Sequence, residues 1–169
     1  MKKKILGCVL LGMLAVSSCQ NTYKIYVVRH AEKETNYKGD DHQRPLNQQG
    51  YARAGALYRR LEGENIQKIW VTEYLRVQQT ADSLRINQKI DTLWYSAKDT
   101  FLKDNLQKAG VATKNVLIVG HSNTVPDIIR YFGVKFEPQN LPDSEYDNLY
   151  LITRKGKKNL HFESLKYGK

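Results

Sequence analysis

The sequence predicts an α/β fold of three layers, a mostly parallel central sheet with helices on both faces. Two observations predict it. Short β-branched and aromatic runs alternate with segments of helical periodicity along most of the chain, the pattern of strands joined by crossover helices. Turn and capping residues fall at the joints between them. A chain of 169 residues is long enough for one domain with a proper core, and its 10% aromatic and 26% charged composition fits a globular protein rather than a disordered one.

The amino end stands apart from that pattern. Lys2, Lys3 and Lys4 precede an apolar run over residues 5–16, followed by Ser17, Ser18 and Cys19, the layout of a secretory signal. The run is shorter than the roughly 20 residues that span a bilayer. Residues 16–19, Val-Ser-Ser-Cys, also resemble a bacterial lipobox, which implies cleavage before Cys19 and its lipidation. The expected organisation is therefore a lipoprotein-type signal over 1–18, lipidated Cys19 and a tether over 19–22, and one domain over 23–169. It implies a membrane-anchored lipoprotein of the cell envelope, outside the cytoplasm; an ordinary cleaved signal with an incidental cysteine is the alternative. With Cys8 removed and Cys19 modified, no disulfide is left to form. The formal charge of +10 falls to +7 without the three leading lysines. That charge fits anionic substrates or headgroups, and charge alone does not choose between these and nucleic acid.

The elements follow in order. Residues 25–28, Ile-Tyr-Val-Val, read as a buried strand that delivers Arg29 and His30 at its carboxyl end. A polar loop runs over 32–43 with Gly39-Asp40-Asp41 as its turn. Asn47 is an N-cap candidate for a helix marked by Tyr51, Ala54, Leu57, Tyr58 and Leu61, with Gly63 as its stop. Residues 68–71 are a second strand, and Val77, Ala81 and Leu84 mark the helix after it. Residues 91–95 are a third strand, and Ser96 and Asp99 have capping-box spacing ahead of Leu102, Leu106 and Ala109, closed by Gly110. Residues 116–119 form another buried strand that ends on Gly120-His121. Pro126 reads as the start of a helix through Ile128, Ile129 and Phe132 to Gly133. Residues 136–147 read as loop, and 149–153 and 160–162 as two closing strands around a basic turn.

Chemistry gathers at one edge of this arrangement. Ligands of open α/β sheets bind at the carboxyl ends of the strands, where His30, His121, Arg29 and Arg76 all fall. Two guanidiniums and two imidazoles around one point make a phosphate pocket, because arginine's fixed fork of donors matches phosphate oxygens at any physiological pH. A zinc site among the four histidines is not expected, since none has ligand spacing and no cysteine remains.

Arg29-His30-Ala31-Glu32, Arg76-x-x-x-Thr80-Ala81 and Gly120-His121-Ser122-Asn123, with Pro45-Leu46-x-x-x-Gly50, resemble the histidine phosphatase superfamily, of phosphoglycerate mutase-like fold and Arg-His-Gly signature. The resemblance covers nearly all of residues 23–133. It implies His30 as nucleophile forming a phosphohistidine, and Arg29, Arg76 and His121 as ligands of the transferring phosphoryl group, with neither metal nor other cofactor. Asn36 falls where many members carry a substrate-contacting asparagine, and it reads equally as a turn residue. His42 and His161 read as surface or structural residues. Ala31 replaces the signature glycine. The general acid is open between Glu73 and Asp99, and Glu32 either orders the pocket arginines or contacts solvent.

The lack of a cap-sized insertion between His30 and Asn47 resembles the short single-domain branch with bacterial phosphohistidine phosphatases. The expected activity is hydrolysis of phosphomonoesters or phosphoprotein. The rivals are a catalytically idle lipoprotein that binds anions or envelope partners, and a mutase-like phosphotransferase. The expected partners are a phosphorylated substrate and a membrane, with no nucleic acid.

Overall fold

A computed structural model describes residues 22–98, 106, 114–156 and 159–168. Residues 1–21, where a signal segment with Cys19 is expected, residues 99–113 of the expected helix apart from the buried helical Leu106, and residues 157–158 at the centre of the basic turn lie outside the described residues.

The described chain runs β1 (Thr22–Arg29), a 3-10 turn (Asp41–Gln43), α1 (Gln48–Leu61), β2 (Lys68–Val71), α2 (Leu75–Gln88), β3 (Thr92–Trp94), β4 (Val116–Gly120), α3 (Thr124–Tyr131), β5 (Asn148–Lys155) and β6 (Asn159–Lys166). The strands form one six-stranded sheet in the order β3-β2-β4-β1-β5-β6. The pairings β2·β3, β2·β4 and β1·β4 are parallel. Those of β5 with β1 and β6 are antiparallel.

Alternate residues of the central strands feed two cores. Tyr26, Val28, Ile69, Val71, Leu117 and Val119 pack under Leu57 and Leu61 of α1 and Val77, Ala81 and Leu84 of α2. Ile25, Val27, Trp70, Val116 and Ile118 face Val125, Ile128 and Ile129 of α3 and Leu106. β1 and β4 are covered on both sides, which is why their sequences are apolar throughout rather than alternating. Helices therefore lie on both faces, as the sequence predicts.

Several boundaries move. Thr22, assigned to the tether, opens β1 by pairing with Lys155. The helix assigned to start at Pro126 begins two residues earlier, because Thr124 Oγ1 accepts the His121 N–H at 2.8 Å and Val125 N–H donates to the His121 carbonyl at 3.0 Å. Proline is tolerated as its third residue, since the first four amides of a helix have no partner within it. Asn47 caps α1 as expected, its side chain accepting from Gly50 N at 2.9 Å. Gly133 stops α3 with φ of 89°, a conformation that favours glycine.

Candidate active site

The register of β1 on β4 builds the centre of the site. Arg29 lies opposite Gly120, and His30 N–H donates to the Gly120 carbonyl at 2.9 Å. The next residue of each strand is a histidine, so the two imidazoles leave the sheet side by side, with ring centroids 5.4 Å apart. Arg76 joins them from the first turn of α2. Arg29, His30, Arg76 and His121 line one cleft of about 350 Å³, with Lys33, Tyr74, Lys98, Ser122, Asn123 and Asp143 among its other walls. All four residues expected at the centre come together there.

Hydrogen bonds orient the His30 ring. Its Nδ1 lies 2.8 Å from the Ala31 carbonyl, a contact that is favourable when Nδ1 carries the proton and donates. The lone pair is then on Nε2, and Arg76 Nε–H points at that nitrogen from 3.4 Å. Burial, foremost, and the charges of His121, Arg76 and Arg29 hold the His30 pKa well below its ordinary value, against a smaller opposing pull from the Ala31 carbonyl. Burial followed by Arg76, Lys33 and Arg29 pushes His121 down to about 4. Both rings are neutral at pH 7.

A second tier of residues holds this centre in place. Ala31 N–H donates to Thr80 Oγ1 at 2.9 Å, and that hydroxyl donates to the Arg76 carbonyl at 2.7 Å. The methyl group of Ala31 is fully buried with Leu46 and Ala54, so alanine is accommodated where the family signature has glycine. The 3-10 turn fixes Arg76, whose Nη1 and Nη2 donate to the Asp41 carbonyl and carboxylate at 2.8 and 3.1 Å. Arg29 Nη1 donates to the Pro142 carbonyl at 2.8 Å, and its guanidinium lies 4.2 Å from the centre of the Tyr146 ring. A loop with no chemical motif thus forms one wall.

Glu32 does neither of the two things the sequence left open. It is 8% exposed and takes three hydrogen bonds of 2.6–2.9 Å from Arg53 of α1. Its carbonyl accepts Asn47 N–H at 3.0 Å, and a Cβ on Gly50 would lie 2.1 Å from that same oxygen. Gly50 is required because α1 starts against the backbone that follows His30.

Other expected residues fall elsewhere. Asn36 is exposed at a bend of the loop and does not line the cleft. The Glu73 carboxylate accepts the Ala97 N–H at 3.0 Å and is not in the cleft wall. Asp99 lies outside the described residues. His161 is exposed, as expected, but His42 is half-buried and stacks at 4.4 Å on Tyr74, which itself lies over Arg76 and against His121. Lys33, Tyr74 and Tyr146 carry no sequence signal apart from Lys33's nearness to His30. Among the described residues no group of three or more His, Cys, Asp and Glu side chains is arranged to hold a metal ion.

A family model for the histidine phosphatase superfamily (branch 1) matches residues 25–93, the stretch that carries Arg29, His30 and Arg76. That stretch is less than half of the 169-residue chain, and the chain has the phosphoglycerate mutase-like α/β fold of histidine phosphatase structures. It is 27% identical over 124 residues to an 8-oxo-(d)GTP phosphatase of Mycolicibacterium smegmatis, covering 66% of this chain and 38% of the relative's length. Among solved structures it resembles the protein histidine phosphatase SixA complexed with tungstate at TM-score 0.64 and 16% identity, over 85% of this chain and 96% of that one. It resembles the alpha-ribazole phosphatase of Shigella flexneri at TM-score 0.59 and 14% identity, over 85% and 96% of the two chains. YhfR of Bacillus stearothermophilus is similar at TM-score 0.58 and 17% identity, over 87% and 97%.

Proposed function

We propose that the protein is a phosphatase that hydrolyses phosphomonoesters or phosphoprotein through a phosphohistidine on His30. The observation that carries this reading is the His30 ring itself: neutral, with Nδ1 on the Ala31 carbonyl and Nε2 directed into a cleft shared with two arginines. The Nε2 lone pair attacks phosphorus as the bond to the leaving oxygen breaks, which makes the first of two displacements. Arg29 and Arg76 take the equatorial oxygens as charge spreads onto them, and neutral His121 lies beside the transferring group as a further ligand. Water then attacks phosphorus, the N–P bond breaks, its electron pair returns to Nε2, and phosphate leaves. Neither a metal nor another cofactor enters this scheme, so turnover should survive exhaustive chelation.

The leaving oxygen needs a proton, and the Glu73 carboxylate is committed to Ala97. Asp99 stays the other candidate for that proton, and substrates with good leaving groups need either acid least. SixA in complex with tungstate, a tetrahedral oxyanion, and relatives named as 8-oxo-(d)GTP and alpha-ribazole phosphatases support the class of reaction and not one substrate. The test is release of phenol and phosphate from phenyl phosphate by the wild-type protein and by His30→Ala. Loss of turnover in the variant supports the reading. Equal rates in both would remove His30 as nucleophile, and transfer to an alcohol without net phosphate release would favour the phosphotransferase.

The same proposal extends to location. Cys19 precedes the first residue of β1 by three, and β1 begins at the edge of the sheet opposite His30. A lipid on Cys19 would tether the protein from that end, about 25 Å of strand away from the cleft. Mass spectrometry of the mature amino terminus tests this: a diacylglyceryl cysteine supports the anchor, and an unmodified terminus downstream removes it.

A further inference from the structure

Besides its two arginines and two histidines, the cleft holds one more partly buried cation. Lys33 lies three residues past His30, lines the cleft and is half-buried. Its ammonium has no ion-pair partner among the described residues. The carboxylate beside it, Asp41, is already engaged by Arg44 Nε at 3.0 Å and Arg76 Nη2 at 3.1 Å. Burial, foremost, and the repulsion of Arg76, Arg44 and Arg29 push the Lys33 ammonium below the ordinary lysine value, against the opposing pull of Asp41.

A half-buried cation among like charges is costly unless an anion balances it. Arg29 and Arg76, which meet the phosphoryl dianion, each also pair with a carboxylate, Asp143 at 3.4 Å and Asp41 at 3.1 Å, whereas Lys33 has no such partner among the described residues. The cleft of about 350 Å³ is in the range of whole-ligand pockets, and exposed Lys98 adds a further positive charge to its wall. We infer that Lys33 binds a second anionic group of the substrate, so that the cleft takes phosphate esters or anhydrides with another phosphate or a carboxylate next to the scissile phosphoryl group. This inference rests on the phosphatase reading. It gives that reading a substrate class.

The experiment compares inorganic phosphate with inorganic pyrophosphate as competitors of phenyl phosphate hydrolysis, followed by phenol release, and as ligands in calorimetry. In the wild type, pyrophosphate should bind about tenfold tighter than phosphate, the equivalent of about 1.4 kcal/mol. Lys33→Gln should remove most of that ratio and Lys33→Arg should keep it. Equal affinities in the wild type, or a Lys33→Gln variant that weakens both anions by the same factor, would overturn the inference. Calorimetry needs no turnover, so a failure of the phosphatase reading is seen separately, as absence of His30-dependent phenol release.

Discussion

Acidification should destabilise this protein through its two cleft histidines, and the size of the effect follows from their burial. His121 has a pKa of about 4 in the folded protein against 6.5 ordinarily. Between those values the unfolded chain holds a proton that the folded chain does not, so stability is full above pH 6.5 and falls as pH drops toward 4. From pH 7 to pH 5 the loss from His121 is about 2 kcal/mol, and His30 adds to it in the same direction because its pKa is also lowered. Urea unfolding at pH 7 and pH 5 measures this directly. The wild-type midpoint should fall with unchanged slope, and His121→Gln should show a drop smaller by about 2 kcal/mol. If wild type and His121→Gln lose equal stability between the two pH values, His121 is not held neutral by its surroundings, and the electrostatic description of the cleft is wrong.

Two further outcomes test the frame around the site. Gly50→Ala places a Cβ 2.1 Å from the Glu32 carbonyl, so the first turn of α1 must shift; a loss of about 1–3 kcal/mol in thermal or urea unfolding is expected, with turnover reduced as well because that carbonyl follows His30. Arg53→Ala strands the buried Glu32 carboxylate and should cost about 3 kcal/mol in urea unfolding, whereas the double variant Arg53→Ala, Glu32→Gln should recover a part of that loss.

The parts of this molecule that are legible in its sequence are those whose signal is local. The apolar runs of β1 and β4, the Asn47 cap and the Gly133 stop are each written in a few adjacent residues. The joint position of Arg29, His30, Arg76 and His121 could be read because all four lie at strand ends or just beyond them. What was not legible depends on distant packing. Glu32 finds Arg53 because Gly50 lets α1 approach the backbone after His30, and no local pattern shows that distance. Tyr146 reaches Arg29 from a loop whose sequence specifies only that it is a loop. Pro126 misled because proline fits the first turn of a helix generally, and the start was decided by Thr124 closing on His121.

The central claim is a covalent phosphoryl group on His30. Rapid mixing of the protein with phenyl phosphate, quenching in alkaline denaturant that preserves phosphohistidine, and peptide mass spectrometry would locate it. The account predicts a transient phosphoryl adduct on the peptide that contains His30, formed and lost at rates that match turnover and absent from His30→Ala. Turnover at the wild-type rate with no adduct on that peptide, or an adduct on another residue that turns over as fast, would contradict it.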